Sequence, residues 1–184
     1  MKTTKNAFDI VLRKTQAFKL LSVIQINTIM AQTPEQNLEK LGIILPEASQ
    51  PIATYVNCVR VGKLLFMSGK GPLKSDDTYI TGKLGKDLSI KQGYEAARLA
   101  AICHIAVLKT ELGDLKRVKQ IVKVLGMVNC TDDFFEQPKV INGYSDLMVS
   151  VFDDKGRHAR SAVGINVLPM NIAVEVEVIV EIED

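Results

Sequence analysis

The chain closes on "AVEVEVIVEIED", and the stretch Ala173–Ile182 alternates with a period of two. Val174, Val176, Val178, Val180 and Ile182 fall on one side, and Glu175, Glu177 and Glu181 on the other, with Glu183 continuing the acid series. A β-strand has this period and a helix does not. The pattern therefore demands a sheet with one face buried under another layer and the opposite face polar.

Two segments supply that layer. Ser89 and Gln92 form a capping box ahead of Tyr94, Ala97, Ala101, Ile105, Leu108 and Leu112, which recur at helical spacing until Gly113 ends the run. A second helix is predicted from about Pro138 to Phe152, burying Val140, Tyr144, Leu147 and Val151, and stopping at Asp153-Asp154-Lys155-Gly156. The other strands follow from local signals. "YVNCVRVGKLLFMSG" reads as a hairpin of Tyr55–Val61 with Leu64–Ser68 around Gly62-Lys63. "VKQIVKVLGMVN" is β-branched and nearly continuous in its apolar content, as in a strand covered on both faces. Ser161–Val167 leads through Leu168-Pro169 into the last strand. The glycine- and charge-rich "GKGPLKSDDTYITGKLGKD" reads as a loop.

Hairpin, helix, strand, helix and two strands make an α+β fold: a two-layer sandwich with a mixed sheet and both helices on one face. Its other face is left bare, and covering such a face is a common reason to oligomerise.

Residues 1–29 read as an N-terminal extension. Lysines precede an apolar run, Leu20 to Met30, that Gln25, Asn27 and Thr28 interrupt and that is too short to span a membrane. Met30 stands directly before "AQTPEQNLEKLGI", where Thr33, Pro34 and Gln36 start a helix. The expectation is a native start at Met30, with a cleaved export signal as the alternative. Residues 30–54 would then be a lead-in helix and extended arm, and 55–184 one domain.

Composition removes several function classes. Lys plus Arg number 23 against 21 Asp plus Glu, a formal charge of +2, and aromatics are only 5%. This gives no broad basic surface with stacking side chains, so neither nucleic acid nor anionic lipid is an expected partner. Cys58, Cys103 and Cys130 lack any CxxC spacing and suit a reduced, cytoplasmic protein. No metal site is expected, because only His104 and His158 are available and the neighbours Cys103 and His104 diverge by about 100° on a helix.

One stretch stands out chemically. "GRHARSAVGINVLP" places two arginines and a histidine just ahead of the strand expected at Ser161, where strand formation needs none of them. A guanidinium presents a planar pair of donors that fits a carboxylate and stays charged at every working pH, so Arg160 is the candidate anchor for a small acid. An ion pair to Asp153 or Asp154 is the alternative.

Tyr55 to Glu183 resembles the YjgF-like proteins, the reactive intermediate deaminase (Rid) family. The likeness rests on "YVNCVRVGKLLFMSG", "NGYSDL", "HARSAVGINVLP" and "AVEVEVIVEI" in that order. The lead-in "LEKLGIILPEASQPIATYV" is similar to the extended branch of that family. The resemblance implies a chorismate-mutase-like fold assembled as a homotrimer, with a small-molecule site in each cleft between subunits. It implies hydrolysis of 2-imino acids and their enamine tautomers, such as 2-aminoacrylate, to 2-oxo acids and ammonia without metal or cofactor. Residue by residue, it makes Arg160 the carboxylate anchor and Glu175 the group that orients or deprotonates water. It places Tyr55, Ser68 and Asn142 around the substrate. Two departures are visible: Lys70, a second candidate substrate-binding cation suited to a dianionic ligand unless it sits in solvent, follows "SG" where compact members usually carry glutamine, and Ala162 stands where they commonly carry cysteine. Non-catalytic binding of small carboxylates is the competing expectation, with ribonuclease or translation inhibition behind it.

Overall fold

The computed structural model of the protein describes residues 32–48 and 53–184, so the expectations placed on residues 1–29 lie outside the described residues. Thr33–Asp184 forms one unit. Five strands make a single sheet: β1 (Cys58–Val61), β2 (Leu64–Lys70), β3 (Val118–Asn129), β4 (Ala159–Ile165) and β5 (Val174–Ile182). Their order is β1-β2-β5-β3-β4, antiparallel except between β3 and β4. The mixed sheet and its helices form the expected α+β sandwich.

The helices are α1 (Pro34–Lys40), α2 (Ile90–Leu112) and α3 (Gln137–Phe152). Both predicted capping boxes form: Thr33 with Gln36 ahead of α1, and Ser89 with Gln92 ahead of α2, each satisfying backbone donors that the first helical turn leaves unpaired. Gly113, at φ +74, ends α2 in a conformation that side chains rarely adopt. The parallel pairing of β3 with β4 requires a crossover, and α3 provides it.

The alternation of β5 fulfils its prediction. Val174, Val176, Val178, Val180 and Ile182 are all at most 2% exposed, packed with Ile121, Val124 and Val128 of β3 beneath α2 and α3. The helices sit close to one another because small residues meet there. A Cβ built on Gly143 of α3 would lie 2.0 Å from the Tyr94 carbonyl oxygen of α2.

Three expectations are corrected. β4 starts at Ala159 rather than Ser161, because its ladder with β3 begins at Lys123↔Ala159, and Arg160 therefore lies inside the strand. β1 starts at Cys58 rather than Tyr55, although the Ser68 amide still donates to the Asn57 carbonyl at 3.0 Å. β3 is not covered on both faces by the described residues. Register shifts between Val118 and Gln120 and between Ile121 and Lys123 change which residues point inward, leaving Val122 37% exposed. The nearly continuous apolar content of β3 arises instead because its open face also carries Leu125 and Met127. They belong to a half-apolar surface, where Phe66, Leu125 and Ile179 with Lys123 and Glu177 line a shallow cleft of about 90 Å³.

Candidate functional site

Arg160 projects from β4, an edge strand, toward α3. Its Nη1 donates to Asn142 Oδ1 at 3.0 Å and to Ser145 Oγ at 2.9 Å, and its Nη2 to the Pro138 carbonyl at 3.4 Å. Both Nη1 hydrogens are engaged. Among the described residues Nε donates to none, so the Nε–Nη2 edge keeps a fork of the kind that grips a carboxylate side-on. Asp154 pairs with Arg157, at 3.1 Å to its Nε, and among the described residues Arg160 has no ion pair to Asp153 or Asp154, its partners being Asn142, Ser145 and Pro138, which corrects that alternative.

Ser145 has a second partner. His158 Nδ1 lies 2.7 Å from the Gly156 carbonyl and His158 Nε2 lies 3.0 Å from Ser145 Oγ. A carbonyl only accepts, so Nδ1 carries the proton and Nε2 accepts from the Ser145 hydroxyl. The serine lone pairs then face Arg160. Burial, and after it the Arg160 charge, pulls the His158 pKa below its ordinary value.

The remaining candidates gather elsewhere, around the irregularity between Met67 and Lys70 of β2. Glu175 lies over Gly69: a Cβ there would meet its Oε1 at 2.1 Å, so only glycine leaves the carboxylate its place. Burial, then the neighbouring Glu177, raises the Glu175 pKa. Ser68 Oγ donates to the Val56 carbonyl at 2.6 Å, and Tyr55 is 46% exposed on the approach to β1. Lys70 pairs opposite Val176 and shares its inward face, where it is only 7% exposed and donates to Asn57 Oδ1 at 2.7 Å. Desolvation lowers its pKa, with Cys103 nearby acting in the opposite sense.

Arg160 and Glu175 do not converge within one chain. Arg160 bonds α3 on the helix side of the sheet, whereas Glu175 alternates with buried Val174 and Val176 and so occupies the open side. Asn142 joins Arg160; Glu175 lies over Gly69, the residue next in sequence to Ser68. Beyond Arg160 along β4, a cleft of about 280 Å³ opens at the start of α3, lined by Cys130, Phe134, Phe135, Gln137 and Gly164 among others. Among the described residues no group of three or more His, Cys, Asp or Glu is placed to hold a metal ion.

Sequence reasoning missed Ser145, His158 and Gly69. Signals for the first two existed: Asn142 and Ser145 are three apart on a helix, and His158 and Arg160 two apart in extended chain, so each pair shares a face. His104 lies on α2 and is fully buried. Its Nε2 lies 3.1 Å from the Ser68 carbonyl and its Nδ1 3.0 Å from Tyr144 Oη, so it sits neutral in the core and burial lowers its pKa to about 4.

That depression makes a stability prediction. Below about pH 6.5 the unfolded imidazole takes a proton that the folded one refuses, so stability is lost as pH falls from there toward about 4. Chemical denaturation should show about 2 kcal/mol more loss between pH 6.5 and 5 in the native chain than in His104→Gln. Equal slopes would place the proton acceptor elsewhere.

The profile of the family described as "YjgF/chorismate_mutase-like, putative endoribonuclease" matches residues 35–182. Protein TCP17 of Trypanosoma cruzi is 44% identical over 149 residues, which is 80% of this chain and 93% of that protein. The crystal structure of Atu1372 from Agrobacterium tumefaciens, a protein of unknown function, superposes with a TM-score of 0.77 at 40% identity, covering 82% of this chain and 92% of that one. A Shewanella oneidensis protein described in the same endoribonuclease terms gives 0.79 at 36% identity, covering 82% of this chain and all of that one.

Proposed function

Because this chain belongs to the YjgF/chorismate mutase-like family, and to its Rid proteins, we propose that it hydrolyses 2-imino acids and their enamine tautomers to 2-oxo acids and ammonia. The observation that carries the reading is the open Nε–Nη2 edge of Arg160, whose opposite edge is already held by Asn142 and Ser145. A substrate carboxylate completes that guanidinium. The imine carbon next to it is electrophilic, so positioning and one proton-transfer group suffice for the chemistry.

Glu175 supplies the proton transfer. Its carboxylate takes a proton from water as the oxygen bonds to the imine carbon, giving a carbinolamine. For a protonated imine that proton then passes to nitrogen, and the C–N bond breaks as the hydroxyl oxygen closes to C=O and gives its own proton back to Glu175, so ammonia leaves and the 2-oxo acid remains. Its raised pKa suits both steps, making the carboxylate a better base than an ordinary one and easier to reprotonate. Tyr55 and Ser68 line this half of the site. Lys70 lies beneath it as buried positive charge. The opposite placement of Arg160 and Glu175 means that each site takes the two halves from different copies. The half-apolar open face of the sheet, with Phe66 43% and Val163 39% exposed, supports assembly of such copies, as a homotrimer. Light scattering tests this, and a monomer would leave the site incomplete.

Glu175→Gln should lower kcat by about 10²-fold with little change in KM. The native enzyme should lose kcat as pH falls through a midpoint above 4.5, the ordinary value from which Glu175 is raised. That limb should be absent from the residual activity of the variant. The function itself is tested by measuring ammonia and 2-oxo acid release when the protein is added to imino acids generated in situ by an amino-acid oxidase. Binding of 2-oxo acids without acceleration would instead make the protein a small-carboxylate binder. The charge of +2 and the engagement of Arg157 by Asp154 disfavour the endoribonuclease reading that the family description also carries.

A further inference from the structure

We propose that His158 and Ser145 are positioning residues for Arg160, and that protonation of His158 releases the guanidinium from the orientation that receives a carboxylate. The inference rests on the reading of Arg160 as the carboxylate anchor and assigns that site a pH-dependent control.

The argument is one of donors and acceptors. Ser145 has one hydrogen and two lone pairs. Its hydrogen goes to His158 Nε2, because His158 Nδ1 is committed to the Gly156 carbonyl. A lone pair then accepts Arg160 Nη1, and donation toward the imidazole strengthens that acceptance. Asn142 holds the second Nη1 hydrogen. The run Gly156 carbonyl, His158, Ser145, Arg160 therefore has a single consistent direction. It also fixes the plane of the guanidinium, since two acceptors from one helix define the Nη1 edge. His158 is itself held against α3 by the edge of Tyr144, with ring centroids 6.4 Å apart at 83°.

A second proton on His158 reverses the direction. Both ring nitrogens then donate, so Ser145 must accept from His158 and Arg160 at once and turn its own hydrogen away. A positive charge also appears on the far side of the serine from the guanidinium. Among the described residues no carboxylate acts on His158 to offset it. Asp154 is paired with Arg157, and Asp146 of α3 accepts from Tyr94 Oη at 2.9 Å. Of the nearby lysines, Lys155 donates to the Val118 carbonyl and Lys123 to Ser161 on the open face. Gln120, a neutral amide, donates to the Arg157 carbonyl. The lowered pKa of His158 agrees with this surrounding and keeps the ring neutral at pH 7.

The test separates this control from the chemistry by reading KM and affinity rather than kcat, which Glu175 governs. Binding of 2-oxobutyrate to the full chain, by calorimetry from pH 8 to 5, should weaken severalfold as pH falls below 6.5, the ordinary value from which His158 is lowered. His158→Gln, whose amide has an acceptor for Ser145 and does not titrate, should bind with a flat profile. Ser145→Ala should bind about tenfold more weakly throughout, also flat, and raise KM for imino acids with kcat held within about twofold. Nitrogen-15 NMR of the native imidazole should show the Nδ1–H tautomer, titrating below 6.5 and moving upward in Arg160→Ala. If 2-oxobutyrate does not bind and imines are not turned over, the deaminase reading fails, while the tautomer and its response to Arg160→Ala still decide the relay. An Nε2–H tautomer, or a His158→Gln profile as steep as the native one, overturns it.

Discussion

Arg160→Ala should lower kcat/KM for imino acids by about 10²–10³-fold, mostly through KM, while leaving the melting temperature within about 2 °C of native. The size follows from removing a charge-assisted, two-pronged grip on a carboxylate and leaving that carboxylate without its cation. The small stability cost follows from position. Arg160 lies on the edge strand, only partly buried, and its partners Asn142 and Ser145 sit at a helix surface that water can reach. Arg160→Lys restores the charge but not the planar fork, so it should recover a minor part of the loss. Ammonia release and a thermal melt on the same preparation check both halves. Native activity in Arg160→Ala would remove the proposed function together with its anchor.

The largest stability effect should come from Gly143→Ala. The new Cβ would lie 2.0 Å from the Tyr94 carbonyl oxygen and 2.8 Å from its carbon, and these are backbone atoms in the middle of the chain's most extensive helix pair. A flexible side chain can step aside; a helix carbonyl cannot without moving α2. Prising the helices apart would loosen the layer over Val176 and Val178, so the cost should be about 3 kcal/mol, near the top of the range for overpacking. For a domain of this size that is a melting temperature lower by about 10 °C. Gly62→Ala is the control. Gly62 has nothing within 4 Å of its added Cβ and strains only through its φ of +59, so it should cost about 1 kcal/mol. Similar melting temperatures for the two variants would show that the helix contact is not as close as the structure has it.

Much of the architecture was legible because it is written in local periods. The alternation from Val174 to Ile182, the capping boxes at Thr33 and Ser89, and the stop at Gly113 each depend on residues within a few positions of one another. The failures share a different cause. The start of β4 depends on where Lys123 finds its parallel partner. The coverage of β3 depends on two shifts against β5 and on a sheet face that no segment among the described residues buries. Lys70 after "SG" reads as a second cation of the site or as a solvated lysine, yet pairing opposite Val176 turns it to the inward face.

The candidate site divides in the same way. The sequence by itself determined most of the strands and helices and the fold class, and its chemistry singled out Arg160, while Asn142, Ser68, Tyr55, Lys70 and Glu175 entered as candidates through the resemblance to the Rid family. Only the tertiary structure decided their company. It set Asn142 and Ser145 on Arg160, put His158 behind Ser145, laid Glu175 over Gly69, and left Arg160 and Glu175 on opposite faces of the sheet. The physical reason is range: side-chain periodicity is fixed by backbone geometry over a few residues, whereas convergence is fixed by strand register and by how closely α3 packs on the sheet and on α2, which depend on contacts across the whole chain.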